Sequence, residues 1–177
     1  MVKIASIYDL FSLIVLLTNL YIIFHFDIIP FIGLSVVLVI HGFIKKLTTN
    51  LEPSYIFKRP DGATDCSLFN TGGLVDHMSG FPSGHMSSIS FVMTYYFLKN
   101  NKKNYYDIKE GLNDIYDIII YSIPIFLVGI ARYMSGCHNL IQIFAGYILG
   151  TSFGFIIYFY ESYISHYIDN VYYKYFN

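Results

Sequence analysis

A serine, a glycine and a histidine stand together at residues 83–85, where a polar stretch of the chain gives way to an apolar one. If this triplet opens a helix, the unpaired backbone N–H groups of the first turn suit an anion such as phosphate. Gly84 lets the backbone approach that anion, Ser83 can donate a hydroxyl, and His85 can donate a proton to a leaving group. The alternative is that Ser83 is only an N-cap and His85 an interfacial residue.

Two arginines and a second histidine could complete a phosphate site. Arg132 and His138 flank a predicted turn at Gly136, which would bring a guanidinium and an imidazole to one pocket. The guanidinium can neutralise phosphate oxygens, and the imidazole can attack phosphorus. Arg59 precedes Pro60 and adds a second guanidinium in a stiffened loop. Such a set can catalyse phosphoryl transfer without a metal, because the arginines supply the positive charge.

The composition indicates that membrane helices position these residues. The 177 residues are 55% hydrophobic and only 13% charged, with a mean hydropathy of +0.50, which is too apolar for an ordinary soluble domain. A net charge of -1 leaves no broad basic surface for nucleic acid. Cys66 and Cys137 have no metal-ligand spacing, but they could form one disulfide if they face an oxidising compartment.

The hydropathy pattern predicts a single all-α domain, a polytopic bundle of membrane helices. The five predicted helices span residues 8–26, 28–44, 84–99, 115–134 and 139–161. The polar segment 45–83 is predicted to be an active-site loop outside the hydrocarbon, and the tail after residue 161 could supply a sixth helix. Glycines recur every fourth residue at 146, 150 and 154, which is typical of close helix packing.

Counting the membrane crossings places the candidate residues on one side. If the second helix ends on one face, the loop lies there too, the third helix starts there and the fourth returns there. Arg59, His85, Arg132 and His138 then share one layer. A single cation at a membrane boundary is explained more simply by a side chain that extends to the lipid headgroups. The presence of all four residues in one layer favours a catalytic site.

Three short motifs in this layer resemble those of the type 2 phosphatidic acid phosphatase superfamily. These integral-membrane lipid phosphatases share an active-site plan with vanadium haloperoxidases. The motifs are RP at 59–60, PSGH at 82–85 and R-x5-H at 132–138, in that order along the chain. The resemblance covers residues 45 to about 150.

The resemblance implies a role for each matching residue. His138 would be the nucleophile that forms a phosphohistidine, and His85 the general acid that protonates the leaving oxygen and later acts as base. The phosphate cradle would consist of Arg59, Arg132, Ser83 and the Gly84 backbone. No cofactor and no metal are implied, and the partners would be the membrane and a lipid phosphate or diphosphate.

Two departures from the superfamily pattern concern a lysine and a serine. The superfamily usually has Lys seven residues before the arginine of the first motif, but here that position is Glu52. Lys46 or Lys58 could take the role of this phosphate-binding lysine, Lys46 if the intervening EPSY stretch is an insertion. Ala131 replaces a usual serine.

A third departure is Gln142, which stands four residues after His138 where an Asp is usual. Gln can accept the same imidazole N–H bond and so orient His138, but it contributes no charge. The dolichyl diphosphatase branch of the superfamily also has Gln there, so HNLIQIFAG resembles that branch and favours a polyprenyl diphosphate substrate.

The sequence thus predicts an integral-membrane phosphatase that removes a phosphate from a polyprenyl or dolichyl diphosphate. A phosphatidate-type monoester phosphatase or a phosphotransferase is the alternative within the same fold. A non-catalytic scaffold that binds anionic lipid is a further alternative, which Glu52 and Gln142 support. A vanadate haloperoxidase would share the anion cradle, but the apolar spans argue against it.

The membrane orientation follows from the lysines that flank the helices. Several lie on the face opposite the site and favour a cytosolic position for that face: Lys99, Lys102, Lys103, Lys109 and Lys174. These lysines predict an active site on the lumenal or extracytoplasmic side, whereas Lys3, Lys45 and Lys46 favour the opposite orientation.

Overall fold

The computed structural model describes residues 7–51, 54–101 and 111–176, which form six helices. The helices are α1 (Ile7–Phe24), α2 (Ile28–Thr48), α3 (Ser54–Phe57), α4 (Gly84–Asn101), α5 (Gly111–Met134) and α6 (Leu140–Phe176). The described residues contain no strand, only two isolated bridges in the loop between α3 and α4. The predicted all-α fold class is confirmed.

Four helices are long and apolar enough to cross a membrane. They are α1, α2, the segment Ile115–Met134 of α5 and the segment Leu140–Glu161 of α6. The remaining long helix, α4, packs against all four of them and is buried along most of its first half. Because neighbouring helices surround α4 on every side, its serines do not face lipid, and its low hydropathy is tolerated.

Several helix boundaries differ from the sequence prediction, and α5 begins four residues earlier, at Gly111. α2 continues one turn past residue 44 through Lys45 and Lys46, which are good helix formers and favourable at a helix C-terminus. The short helix α3 lies within the predicted loop. The tail beyond residue 161 continues α6 to Phe176 instead of forming a separate sixth helix.

The close approach of α4 and α6 depends on the three glycines spaced by four residues. A Cβ at Gly150 would lie 2.8 Å from the Phe91 nitrogen, and one at Gly154 would lie 2.8 Å from the Thr94 Cβ. A Cβ at Gly146 would lie 2.9 Å from the Met86 Cβ. The predicted packing role of these glycines is therefore confirmed.

Polar contacts mark the two ends of the bundle. At one end, Asp27 in the turn between α1 and α2 accepts a hydrogen bond from Tyr96 (3.0 Å) and pairs with Lys99 (3.4 Å) of α4. At the other end, here called the site end, Thr48 at the end of α2 hydrogen-bonds to Ser79 of the loop (2.9 Å). The site end holds the start of α1, the end of α2, the start of α4, the end of α5 and the start of α6.

Candidate active site

A cavity of about 380 Å³ lies at the site end between α1, α2, α4 and the loop. Its polar lining includes Arg59 from the loop, His85 from α4 and His138 from the turn before α6. Gly136, with a φ of 67°, makes the tight turn that returns the chain from α5 to His138. Residues far apart in the sequence thus meet in one layer, as the count of crossings predicts.

The start of α4 lines this cavity, and the hydroxyl of Ser83, just before the helix, makes no hydrogen bond. The Ser87 N–H donates to the Ser83 carbonyl (3.0 Å), so the helix begins directly after Ser83. The Ser83 Oγ is buried and has no hydrogen-bond partner, so this side chain does not cap the helix. Ser83 thus occupies the position before the helix without making the side-chain capping bond that the N-cap alternative expects.

The tautomer of His138 follows from the amide of Gln142. The Gln142 Nε2 donates to the carbonyls of Lys58 (2.6 Å) and Ile56 (3.0 Å), which leaves Oε1 as an acceptor facing His138. The His138 Nδ1–H therefore donates to Oε1 at 3.1 Å, and Nε2 carries no proton. Gly80 leaves the space for this amide, because a Cβ there would overlap it.

Arg59 lies against the Nε2 atom of His138. Its Nη1 donates to the Cys137 carbonyl (2.9 Å) and to His138 Nε2 (3.3 Å). Burial and the nearby cations Arg59, Arg132 and Lys45 hold the pKa of His138 well below its ordinary value, and burial also lowers the pKa of Arg59. His138 is therefore a neutral imidazole whose Nε2 lone pair accepts the hydrogen bond from Arg59. A neutral imidazole is the form that can attack phosphorus.

Arg132 is buried beside the cavity but is not part of its lining. Its Nη1 donates to Ser12 Oγ of α1 (3.2 Å) and its Nη2 to the Cys66 carbonyl of the loop (2.9 Å). A disulfide joins Cys66 to Cys137, next to the histidine. Arg132 and the disulfide together tie the loop to α1 and to the turn after α5.

The lysine in the cavity is Lys45, whereas neither Lys46 nor Lys58 lines it. Lys46 is exposed on another side of α2, and Lys58 contacts the site through its backbone carbonyl. His41, one turn before Lys45, lines the cavity as well. The helical period of the sequence is a signal that identifies both His41 and Lys45 as inward-facing. Positions 34, 37, 41, 45 and 48 share one face of α2, and three of them are buried.

Several buried polar atoms around the cavity have no hydrogen-bond partner. They are Asn19 Oδ1, His41 Nε2, Arg59 Nε, Ser83 Oγ, His85 Nε2 and Arg132 Nε. Buried polar atoms are nearly always paired, so a cluster of unpaired ones is typical of a binding site. Across the described ranges no Asp or Glu side chain lines this cavity, while Lys45 and Arg59 do. An anion that accepts several hydrogen bonds fits this lining.

The fold and the site define a class: an all-α protein with membrane-length helices and a cavity at one end that Lys45 and Arg59 line. The sequence matches the PAP2 superfamily over residues 27–165, and the chain belongs to that superfamily. The match extends from the turn before α2 into α6, and it supports a phosphatase of the PAP2 type acting on a phosphate-bearing substrate. No curated protein and no solved structure matches the chain.

Proposed function

We propose that the protein is an integral-membrane lipid phosphatase that removes the terminal phosphate of a polyprenyl diphosphate through a phosphohistidine, without a metal. The observation that carries this proposal is the cluster of unpaired polar atoms in and beside the cavity that holds the unprotonated Nε2 of His138. A phosphoryl group has the charge and the acceptor oxygens that this cluster lacks.

In the first step, His138 Nε2 attacks the terminal phosphorus while the bond to the leaving oxygen breaks. His85, whose Nε2 is unpaired, gives its proton to that oxygen. Arg59, the Ser83 hydroxyl and the Gly84 backbone hold the phosphoryl oxygens. In the second step, His85 takes a proton from water as the water attacks the phosphohistidine, which releases phosphate and restores both histidines. Gln142 holds the His138 ring throughout.

A lipid substrate is supported by the apolar part of the cavity. Val15 of α1 and Leu38 of α2 line it, and both helices are long and apolar enough to cross a membrane. A lipid chain can stay among these helices while its headgroup reaches the cations at the site end. The Cys66–Cys137 disulfide supports a site on the lumenal or extracytoplasmic side, since disulfides persist in oxidising compartments.

A phosphatidate-type glycerolipid is the second candidate substrate, and Asn19 favours it. This α1 side chain lines the cavity, and its buried Oδ1 has no hydrogen-bond partner. An amide can turn either its oxygen or its nitrogen to a ligand, so Asn19 could bind an ester near the phosphate of a glycerolipid. A polyprenyl chain offers no such partner.

The test is phosphate release by the detergent-purified protein from a polyprenyl diphosphate and from phosphatidate, with EDTA present. We expect release that survives EDTA and is lost in His138→Ala. A preference for phosphatidate would select the second candidate. No release from either lipid by folded protein would refute the proposal and favour a scaffold that binds anionic lipid.

A further inference from the structure

The face of α2 that lines the cavity changes from apolar to charged along its length. Leu38, His41 and Lys45 all line the cavity from this one helix. With a rise of about 1.5 Å per residue, His41 lies about 6 Å farther from the site end than Lys45, and Leu38 lies farther still. A ligand lying along α2 would meet an ammonium, then an imidazole and then an apolar wall.

His41 is held in place, and the mechanism described above leaves it unused. Its ring packs against the start of α4, where a Cβ on Gly84 would lie 2.8 Å from Nε2. The Nε2 atom is buried and has no hydrogen-bond partner. Lys45, Arg59 and His85 are the charged or titratable groups that interact with it. An imidazole among such groups stays unpaired unless an anion reaches it.

We propose that His41 and Lys45 form a second phosphate subsite, which takes the phosphate nearer the lipid chain in a diphosphate substrate. The inference rests on the proposed function and deepens it. When His138 attacks the terminal phosphorus, the leaving group departs as a lipid monophosphate that gains negative charge. His41 lies on the side of Lys45 toward the apolar wall, where the lipid chain is expected. Its Nε2–H donates to this phosphate, which a neutral imidazole protonated on Nε2 can do.

The subsite distinguishes a diphosphate from a monophosphate on the same chain. A monophosphate places its single phosphate beside His138 and leaves His41 without a partner, so the loss of His41 affects it little. The loss of one hydrogen bond to a charged phosphate is expected to lower kcat/KM for the diphosphate about 10–100-fold.

The experiment compares farnesyl diphosphate with farnesyl monophosphate, which share one chain, in wild type and His41→Gln. Lys46→Gln is the matched control, because Lys46 lies on α2 but is exposed and outside the cavity. We expect His41→Gln to lower kcat/KM about 10–100-fold for the diphosphate and less than about 3-fold for the monophosphate. Equal losses for both substrates, or no loss, would overturn the subsite.

A binding measurement separates this inference from the proposed function. Calorimetry with methylene diphosphonate and with inorganic phosphate needs no turnover. We expect wild type to bind the diphosphonate more tightly, and His41→Gln to lose that preference. His41→Asn is the second variant if His41→Gln does not fold. Equal affinity of wild type for both probes overturns the subsite even if the protein is a phosphatase. Failure to hydrolyse either farnesyl substrate, with the preference intact, overturns only the proposed function.

Discussion

At the residue scale, Gln142 gives a physical reason for the missing aspartate. Its amide is fully buried and makes three hydrogen bonds. The oxygen accepts a bond from His138 Nδ1–H, as an aspartate could. The nitrogen donates two bonds, to the carbonyls of Ile56 and Lys58, which an aspartate could not. A carboxylate at this position would face two carbonyl oxygens. Gln142 therefore fits the path of this loop, and it orients the histidine without adding charge.

Replacing Gln142 by Glu should lower activity and change its pH dependence. The variant loses both N–H donors, so we expect kcat/KM to fall at least about 10-fold near neutral pH. In the proposed mechanism the neutral His138 is the nucleophile, so activity is lost as the pH falls through its lowered pKa. An ionised carboxylate beside Nδ1 stabilises the imidazolium and raises that pKa, which moves the acidic limb of the kcat/KM profile to higher pH.

The matched control is Gln142→Asn, which keeps the amide but shortens its reach. It should lower kcat/KM without moving the acidic limb upward. An acidic limb that stays in place in Gln142→Glu would show that the carboxyl does not interact with His138.

At the scale of elements, the site depends on how closely α6 approaches α4. The glycine face of α6 meets backbone atoms of α4, which cannot move aside as flexible side chains can. At the same contact between the helices, the Ser83 N–H donates a hydrogen bond to the Gln142 carbonyl (2.9 Å). Packing far from the cavity thus holds the first turn of α4 against the segment that carries His138 and Gln142.

Gly150→Ala should destabilise the protein by about 1–3 kcal/mol or more, because its Cβ overlaps the backbone of α4. Gly42→Ala on α2 is the matched control, since nothing lies within 4 Å of its Cβ position. That control should be neutral or should stabilise the helix by about 0.5–1 kcal/mol. Thermal unfolding in detergent measures both variants. Equal melting temperatures for the two alanine variants would contradict the tight contact.

At the scale of the whole molecule, the loop is held to the bundle by bonds between residues distant in sequence. The disulfide spans 71 residues, Arg132 joins the Cys66 carbonyl to α1, and Gln142 holds the backbone at Ile56 and Lys58. The loop supplies Arg59 to the cavity, so the rigidity of these links decides how well the site is preorganised.

Breaking the disulfide should lower both stability and activity. A crosslink over this separation stabilises by about 4 kcal/mol in the chain-entropy account. We expect Cys66→Ser/Cys137→Ser to melt at a lower temperature than wild type and to show lower kcat/KM, as Arg59 and the Cys66 carbonyl become less well placed. Dithiothreitol should bring wild type to the level of the double variant and leave the double variant unchanged. An activity of wild type that resists full reduction would contradict this role.

The sequence by itself determined the all-α class, the superfamily and the layer in which Arg59, His85 and His138 meet. These depend on local properties: the length of apolar runs, the chemistry of a helix N-terminus and the parity of membrane crossings. The roles of the individual residues stay predictions.

Only the tertiary structure decided which lysine lines the cavity, that Arg132 binds the loop and α1, and that the two cysteines are joined. Each depends on how a helix is rotated about its axis or on the path of a long irregular loop. Hydropathy constrains helix rotation weakly in a bundle that faces lipid, because both the core and the surroundings are apolar. The loop path is set by contacts such as that between Gln142 and Lys58, whose partners are 84 residues apart, and no local pattern records them.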